Sequence, residues 1–132
     1  MRFSTRATYG LRLCFLIGIA ESKISLTSLT AQTHLSQKYL EQLLSMLKKG
    51  GIVESTRGAS GGYVLSRSAE EITIKDILAA VDDAIEVSDC KSGECGDEYC
   101  PNRRILTRLY EEMDKLTSSF TLKDMIDDYK CY

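Results

Sequence analysis

Apolar residues recur with a helical period from the start of the chain. Beyond Ser4, the residues Ala7, Leu11, Phe15 and Ile19 fall four apart, beside Tyr9, Leu13, Leu16 and Ile17. The spacing predicts a helix that opens on a Ser4 cap, and because it is apolar on most sides it belongs in the core. A short second helix is expected over Thr27–Thr33, then a turn at Thr33-His34-Leu35. Ser36 caps a third helix, Gln37–Lys49, in which Leu40, Leu43, Leu44 and Leu47 share one face and Gln37, Lys38, Glu41, Gln42, Ser45 and Lys48 share the other. Gly50-Gly51 stops it, with Lys48 and Lys49 at the negative end of the helix dipole.

Two short strand-like runs, Ile52–Ser55 and Tyr63–Ser66, flank the glycine-rich stretch Thr56–Gly62 and predict a β-hairpin. Thr73 with Asp76 resembles a capping box for a helix running through Val81. A loop rich in Gly, Asp and Cys, Glu86–Cys100, leads to Pro101, well suited to the first position of another helix. That helix carries Ile105, Leu109, Met113, Leu116 and Phe120 in a regular stripe, which calls for an apolar partner, and a second copy of the same helix supplies one. Thr121 with Asp124 opens a last short helix, Leu122–Asp128. The expected fold class is mainly α with a small β-hairpin wing: a winged helix-turn-helix plus a long C-terminal dimerisation helix. The chain divides into a DNA-binding domain over 1–82, a cysteine-bearing loop over 83–101, and the dimerisation helix with the C-terminal helix over 102–132.

At 132 residues, 43% hydrophobic and 27% charged, the chain fits one domain with an appendage and holds enough apolar surface for a core. Its longest apolar run, Leu13–Ala20, is far short of the roughly 20 residues that span a bilayer. Polar residues precede that run, and Glu21-Ser22-Lys23 follows it without a cleavage pattern, so a cytoplasmic location without membrane contact is expected. The net charge of −2 hides an asymmetry. Residues 1–70 hold nine Lys/Arg against four Asp/Glu, whereas residues 71–132 hold eight against fifteen. The basic half suits a polyanion; the acidic half does not.

A helix-turn-helix presents its second helix to the DNA major groove. Gln37, Lys38, Tyr39, Glu41 and Gln42 stand in the first turns of that helix, just after Ser36. Gln pairs with adenine, Lys with guanine, and Glu accepts from cytosine, so this face is chemically equipped to read bases. Arg57, with Gly58 and Ser60 in the wing, brings a guanidinium to phosphates or the minor groove without crowding by neighbouring Cβ atoms. Arg2, Arg6 and Arg12 add charge suited to positioning contacts with phosphates. The competing reading of this face is plain solvation; the glycine-rich wing and the basic balance weigh towards double-stranded DNA. His34 reads as a packing or surface residue and Cys14 as a buried apolar one. No Ser/His/Asp set, phosphate loop or paired carboxylates point to an enzyme.

Cys90, Cys95 and Cys100 form C-x4-C-x4-C. Glycines in the segment free the backbone to converge three thiolates, and such soft donors select an iron–sulfur cluster, zinc or Cu(I). Zinc sites favour closer cysteine pairs and four protein ligands, which puts zinc behind iron–sulfur. A metal-free alternative is a set of redox thiols.

Three segments carry a family resemblance: Met1–Thr5 with Tyr9-Gly10-Leu11-Arg12, Leu35–Leu44, and Arg57–Leu65. With them the chain resembles the IscR, NsrR and CymR family of winged-helix transcription regulators over essentially its whole length. The resemblance implies a homodimer built through the long C-terminal helix, on a partly palindromic operator with one recognition helix per half-site. Cys90, Cys95 and Cys100 match the loop of the cluster-binding members, which CymR-like members lack. That implies a [2Fe-2S] or [4Fe-4S] cluster whose state changes DNA binding, with [2Fe-2S] preferred, in a repressor sensing iron–sulfur status, redox state or nitric oxide. The alternative is a cluster-free CymR-like regulator controlled by thiol oxidation or a protein partner. The sequence departs from the family twice. Arg103 stands where IscR proteins commonly carry histidine, and Thr8 stands where NsrR proteins can supply a ligating aspartate. The fourth ligand is therefore unassigned among Asp89, Glu94, Asp97, Glu98, Asn102, solvent or a small thiol, and a replaceable ligand suits a sensor.

Overall fold

The structure, a computed structural model, describes residues 2–83 and 99–131. Six helices and one hairpin make up these residues: α1 (Thr5–Ile19), α2 (Leu26–Thr33), α3 (Gln37–Lys49), β1 (Val53–Thr56), β2 (Gly62–Leu65), α4 (Ile74–Ala80), α5 (Pro101–Ser119) and α6 (Leu122–Lys130). Most of the expected loop Glu86–Cys100 lies outside the described residues.

Side-chain caps set most helix starts. The hydroxyls of Ser4, Ser25 and Ser36 accept from the backbone N–H three residues on, at 3.1, 3.1 and 3.2 Å. Ser25 in that role starts α2 one residue earlier than the sequence predicts. Thr73 and Thr121 complete reciprocal capping boxes with Asp76 and Asp124. α2 ends on His34 in the left-handed region, φ 58°, and the buried Thr33 hydroxyl donates to Leu29 O at 2.7 Å. This turn sets α3 against α2, with Leu40, Leu43, Leu44 and Leu47 all buried.

β1 and β2 pair antiparallel, from Val53 opposite Leu65 to Thr56 opposite Gly62. An isolated β-bridge, not predicted, adjoins them: Ile24 and Tyr63 exchange two backbone hydrogen bonds of 3.1 and 2.8 Å. A Cβ at Gly62 would lie 2.8 Å from the Ile24 carbonyl oxygen, so this close approach requires glycine.

α6 runs two residues further than predicted. Its N-terminal turn is stitched to the strand-like segment ahead of α4, with Ile74 N–H donating to Phe120 O at 2.9 Å and Leu122 N–H to Ile72 O at 2.8 Å. Leu122 and Ile126 are buried in the same core as Leu13, Leu40 and Ile77, and Phe15 meets Tyr129 edge-on, ring centres 4.8 Å apart. Chain order groups α6 with α5; packing joins it to the N-terminal core. α5 has no buried residue, and Lys75 and Asp114 tie it to α4 by an ion pair of 2.8 Å. No helix of the described residues is long and apolar enough to cross a membrane.

Candidate nucleic-acid interface

The first turns of α3 carry the predicted base-reading set. Gln37, Lys38, Glu41 and Gln42 are exposed, held outward because the leucines one step round the helix are locked in the core. Gln37 Nε2 donates to Glu41 Oε1 at 3.2 Å, so these two side chains form a pre-oriented pair one turn apart. The Ser36 hydroxyl is engaged as the cap. Tyr39 is half-buried, its ring turned edge-on to Tyr9 of α1 with centres 6.2 Å apart. Its ring thus packs the start of α3 onto α1.

Arg57, Gly58 and Ser60 are exposed at the tip of the β1–β2 hairpin. Gly58 adopts φ 107°, and Gly61 N–H closes the turn on Gly58 O at 2.9 Å. A Cβ at Gly61 would run into the carbonyl oxygens of Thr56 and Gly58. Glycine is therefore what lets the tip fold tightly enough to leave Arg57 as its foremost cation. A link that sequence reading missed joins hairpin and helix: Lys48 Nζ donates to Ser55 Oγ at 2.8 Å, bordering a groove lined also by Arg57 and Tyr63. No periodicity signals this pair, because it forms only after the strand folds back along the helix.

Among the N-terminal arginines, Arg2 is exposed ahead of the α1 cap. Arg12 Nη2 donates to Gln32 O at 3.1 Å, satisfying a carbonyl at the C-terminal end of α2 as well as contributing charge. His34 is exposed in its turn.

Of the three predicted thiol ligands, Cys100 is described: half-buried, it occupies the N-cap position of α5 and makes no side-chain cap hydrogen bond. Cys90 and Cys95 lie outside the described residues, as do Asp89, Glu94, Asp97 and Glu98. Asn102 is exposed in the first turn of α5, and Arg103 N–H donates to Cys100 O at 3.2 Å. Among the described residues no three His, Cys, Asp or Glu side chains gather to hold a metal. Cys14 is fully buried in α1, and burial pushes its thiol up to about 12. Along α5, Ile105, Leu109, Leu116 and Phe120 stay 51, 47, 57 and 50% exposed, so the predicted stripe lies open on this chain.

Comparison with known proteins agrees with this architecture. The structure of CymR, the global cysteine regulator of B. subtilis, superposes with a TM-score of 0.78 at 32% identity, covering 96% of this chain and 97% of that one. T. potens IscR gives 0.78 at 30% identity, covering 98% and 88%. In sequence, the HTH-type transcriptional regulator IscR of Photorhabdus laumondii is 29% identical over 97% of this chain and 80% of its own length. The family model Rrf2, described as an iron-dependent transcriptional regulator, matches residues 3–128. With helix-turn-helix, hairpin and long C-terminal helix all inside that match, the chain belongs to the Rrf2 family of transcription regulators.

Proposed function

We propose that this regulator is a cytoplasmic repressor that binds a duplex operator as a homodimer, one α3 to each half-site. We further propose that Cys90, Cys95 and Cys100 hold an iron–sulfur cluster, [2Fe-2S] in preference to [4Fe-4S]. The observation that carries the DNA reading is the exposed polar start of α3 on the same body as an arginine-tipped hairpin, which Lys48 at the other end of α3 joins through Ser55. The half-exposed stripe of α5 supports pairing, since four large apolar side chains in solvent are covered by the same stripe of a second copy.

Support for the cluster is chemical. Three soft donors recur at C-x4-C-x4-C, and the Cys100 sulfur, not used in capping, stands at the positive end of the α5 dipole, which favours an anionic group. When bound, the cluster supplies a centre that oxidants or nitric oxide alter. The chain's own residues carry the consequence: α5 starts from Cys100 and is tied to α4 through Lys75 and Asp114. How the Cys100 thiol is held therefore bears on the angle between α5 and the DNA-reading body, and across a dimer on the spacing of the two α3 helices.

A second reading, a cluster-free regulator controlled by thiol oxidation or a protein partner, is favoured by the likeness to CymR over 97% of that chain and by Arg103 in place of a ligating histidine. Purification without oxygen, with iron and sulfide analysis and a visible spectrum, separates the two. The expected sample is coloured, contains both elements, and binds operator differently once the cluster is removed. A colourless, iron-poor chain whose operator affinity follows disulfide formation would establish the second reading. Failure of every form to select a duplex from a random-sequence pool would refute the DNA reading.

A further inference from the structure

We propose that Asp83 is a positioning residue for DNA binding, a latch that holds the N-terminal arm so that Arg2 meets a backbone phosphate; this rests on the DNA-binding reading above. The Ser4 N–H is one that α1 cannot satisfy itself. The amide of an N-cap residue lies outside the helix ladder, and a capping box satisfies it with a carboxylate three residues on. Among the described residues this happens twice, with Asp76 for Thr73 N–H at 3.0 Å and Asp124 for Thr121 N–H at 2.8 Å. In α1 the equivalent position is Ala7, which has no side-chain acceptor. The carboxylate comes instead from the end of α4: Asp83 Oδ2 accepts from Ser4 N–H at 2.9 Å, across 79 positions of sequence.

Asp83 is itself held in place. The turn after α4 passes through Asp82 at φ 55°, and Asp83 N–H donates to Leu78 O at 3.0 Å. Beside it, Val81 packs so closely on α1 that a Cβ at Gly10 would lie 2.9 Å from Val81 Cγ1. The anchored residue, Ser4, stands two positions after Arg2. The Tyr9–Tyr39 ring contact sets the same half of α1 against the first turns of α3. The start of α1 that Asp83 anchors thus adjoins the first turns of α3, and the exposed Arg2, two residues ahead of Ser4, is the cation that the proposal sets against DNA docked there. Cys90 follows Asp83 by seven positions, so the residue that latches the arm also leads into the cysteine-bearing segment.

The latch makes a prediction opposite in sign to bulk electrostatics. Deleting a carboxylate near a polyanion ordinarily strengthens binding; deleting the latch weakens it. The test titrates a duplex selected by the wild-type chain from a random pool, at several salt concentrations, against Arg2→Ala, Asp83→Ala, Asp83→Asn and the double alanine variant, each checked by thermal melting. Asp83→Ala is expected to weaken binding roughly three- to tenfold and to lower the salt slope by about 0.9, as Arg2→Ala does. The double variant is expected to bind no worse than Arg2→Ala, and Asp83→Asn, which keeps an acceptor oxygen, at least as well as wild type. Should Asp83→Ala not fold, Asp83→Ser, whose hydroxyl is too short to reach, takes its place. Wild-type or tighter binding by Asp83→Ala, with Arg2→Ala weakened, overturns the latch and leaves the DNA reading standing. A silent Arg2→Ala also overturns the latch. Failure of the wild-type chain to select any duplex refutes the DNA reading instead.

Discussion

Gly50→Ala sets two well-defined effects against each other at the end of α3. Gly50 has φ −75° and ψ −1°, an ordinary conformation for any residue, so backbone freedom does not require glycine there. Judged by chain entropy alone, alanine at such a site stabilises by about 0.4–1 kcal/mol. The packing argues the other way. A Cβ at Gly50 would lie 2.5 Å from Ala80 Cβ, about 1 Å or more inside carbon–carbon contact distance, and 3.2 Å from Ala80 Cα. Neither atom can rotate aside, because both are fixed to the backbone of α4, so the helices must part. Overpacking of this kind costs about 1–3 kcal/mol; set against the entropic gain, this leaves a net loss centred on about 1 kcal/mol and reaching about 2.5 kcal/mol. Urea unfolding at fixed protein concentration should show a lower midpoint at unchanged slope. Ala80→Gly should relieve the clash, so that the double variant loses at least about 1 kcal/mol less than the two single losses combined. Gly51 is the control: at φ 74° with open space around it, alanine costs about 1–2 kcal/mol of backbone strain that Ala80→Gly cannot relieve. A Gly50→Ala chain as stable as wild type, or strictly additive losses, would refute the steric argument.

The other predictions concern the core, the open stripe and the thiols. Leu122→Ala should cost about 2–5 kcal/mol by urea unfolding, a loss expected of a fully buried core residue but not of one in a detachable tail. On the proposed homodimer, Leu109→Glu with Leu116→Glu should give a folded monomer by sedimentation, since both side chains are half exposed on the single chain; a dimer unchanged from wild type would refute pairing through this stripe. Iodoacetamide at pH 8 should label the exposed Cys131 and spare Cys14, whose thiol is desolvated and pushed up to about 12. By the same linkage, the stability that neutral Cys14 contributes is complete below about pH 9, the ordinary thiol range, and is lost as pH rises from there towards 12. Cys14→Ala should flatten that alkaline slope.

What could be read from sequence alone was local. Ser4, Ser36, Thr73 and Thr121 each announce a helix by a hydroxyl placed three residues before the N–H it caps, and the leucines of α3 announce their buried face by period. Pro101 marks the start of α5 because the first helical position needs no N–H donor. What was not legible depends on distant parts of the chain meeting. The Ile24–Tyr63 pairing is too short to have a period, and Lys48 and Ser55 become neighbours only once the hairpin has folded. The face of α3 shows the boundary within one helix. Its pattern identifies Gln37, Lys38, Glu41 and Gln42 as outward, yet Tyr39, in the same turn, is claimed by Tyr9 from α1.

A C-terminal helix that merely followed α5 would leave the DNA-reading body complete at residue 82, and α5 would hang from it by one end. Instead the α5–α6 turn is stitched to the segment ahead of α4, and Leu122 and Ile126 sit in the core under α1. α5 is therefore held where it meets α6, by backbone hydrogen bonds, and along its length by Lys75 and Asp114, an exposed ion pair worth little on its own. Its other end is the Cys100 end. That end bears the thiol, and Tyr99, Arg103 and Tyr110 beside and along it are engaged as well. On the reading proposed above, control through Cys100 acts on a helix that the core anchors at its α6 end and whose apolar stripe is exposed.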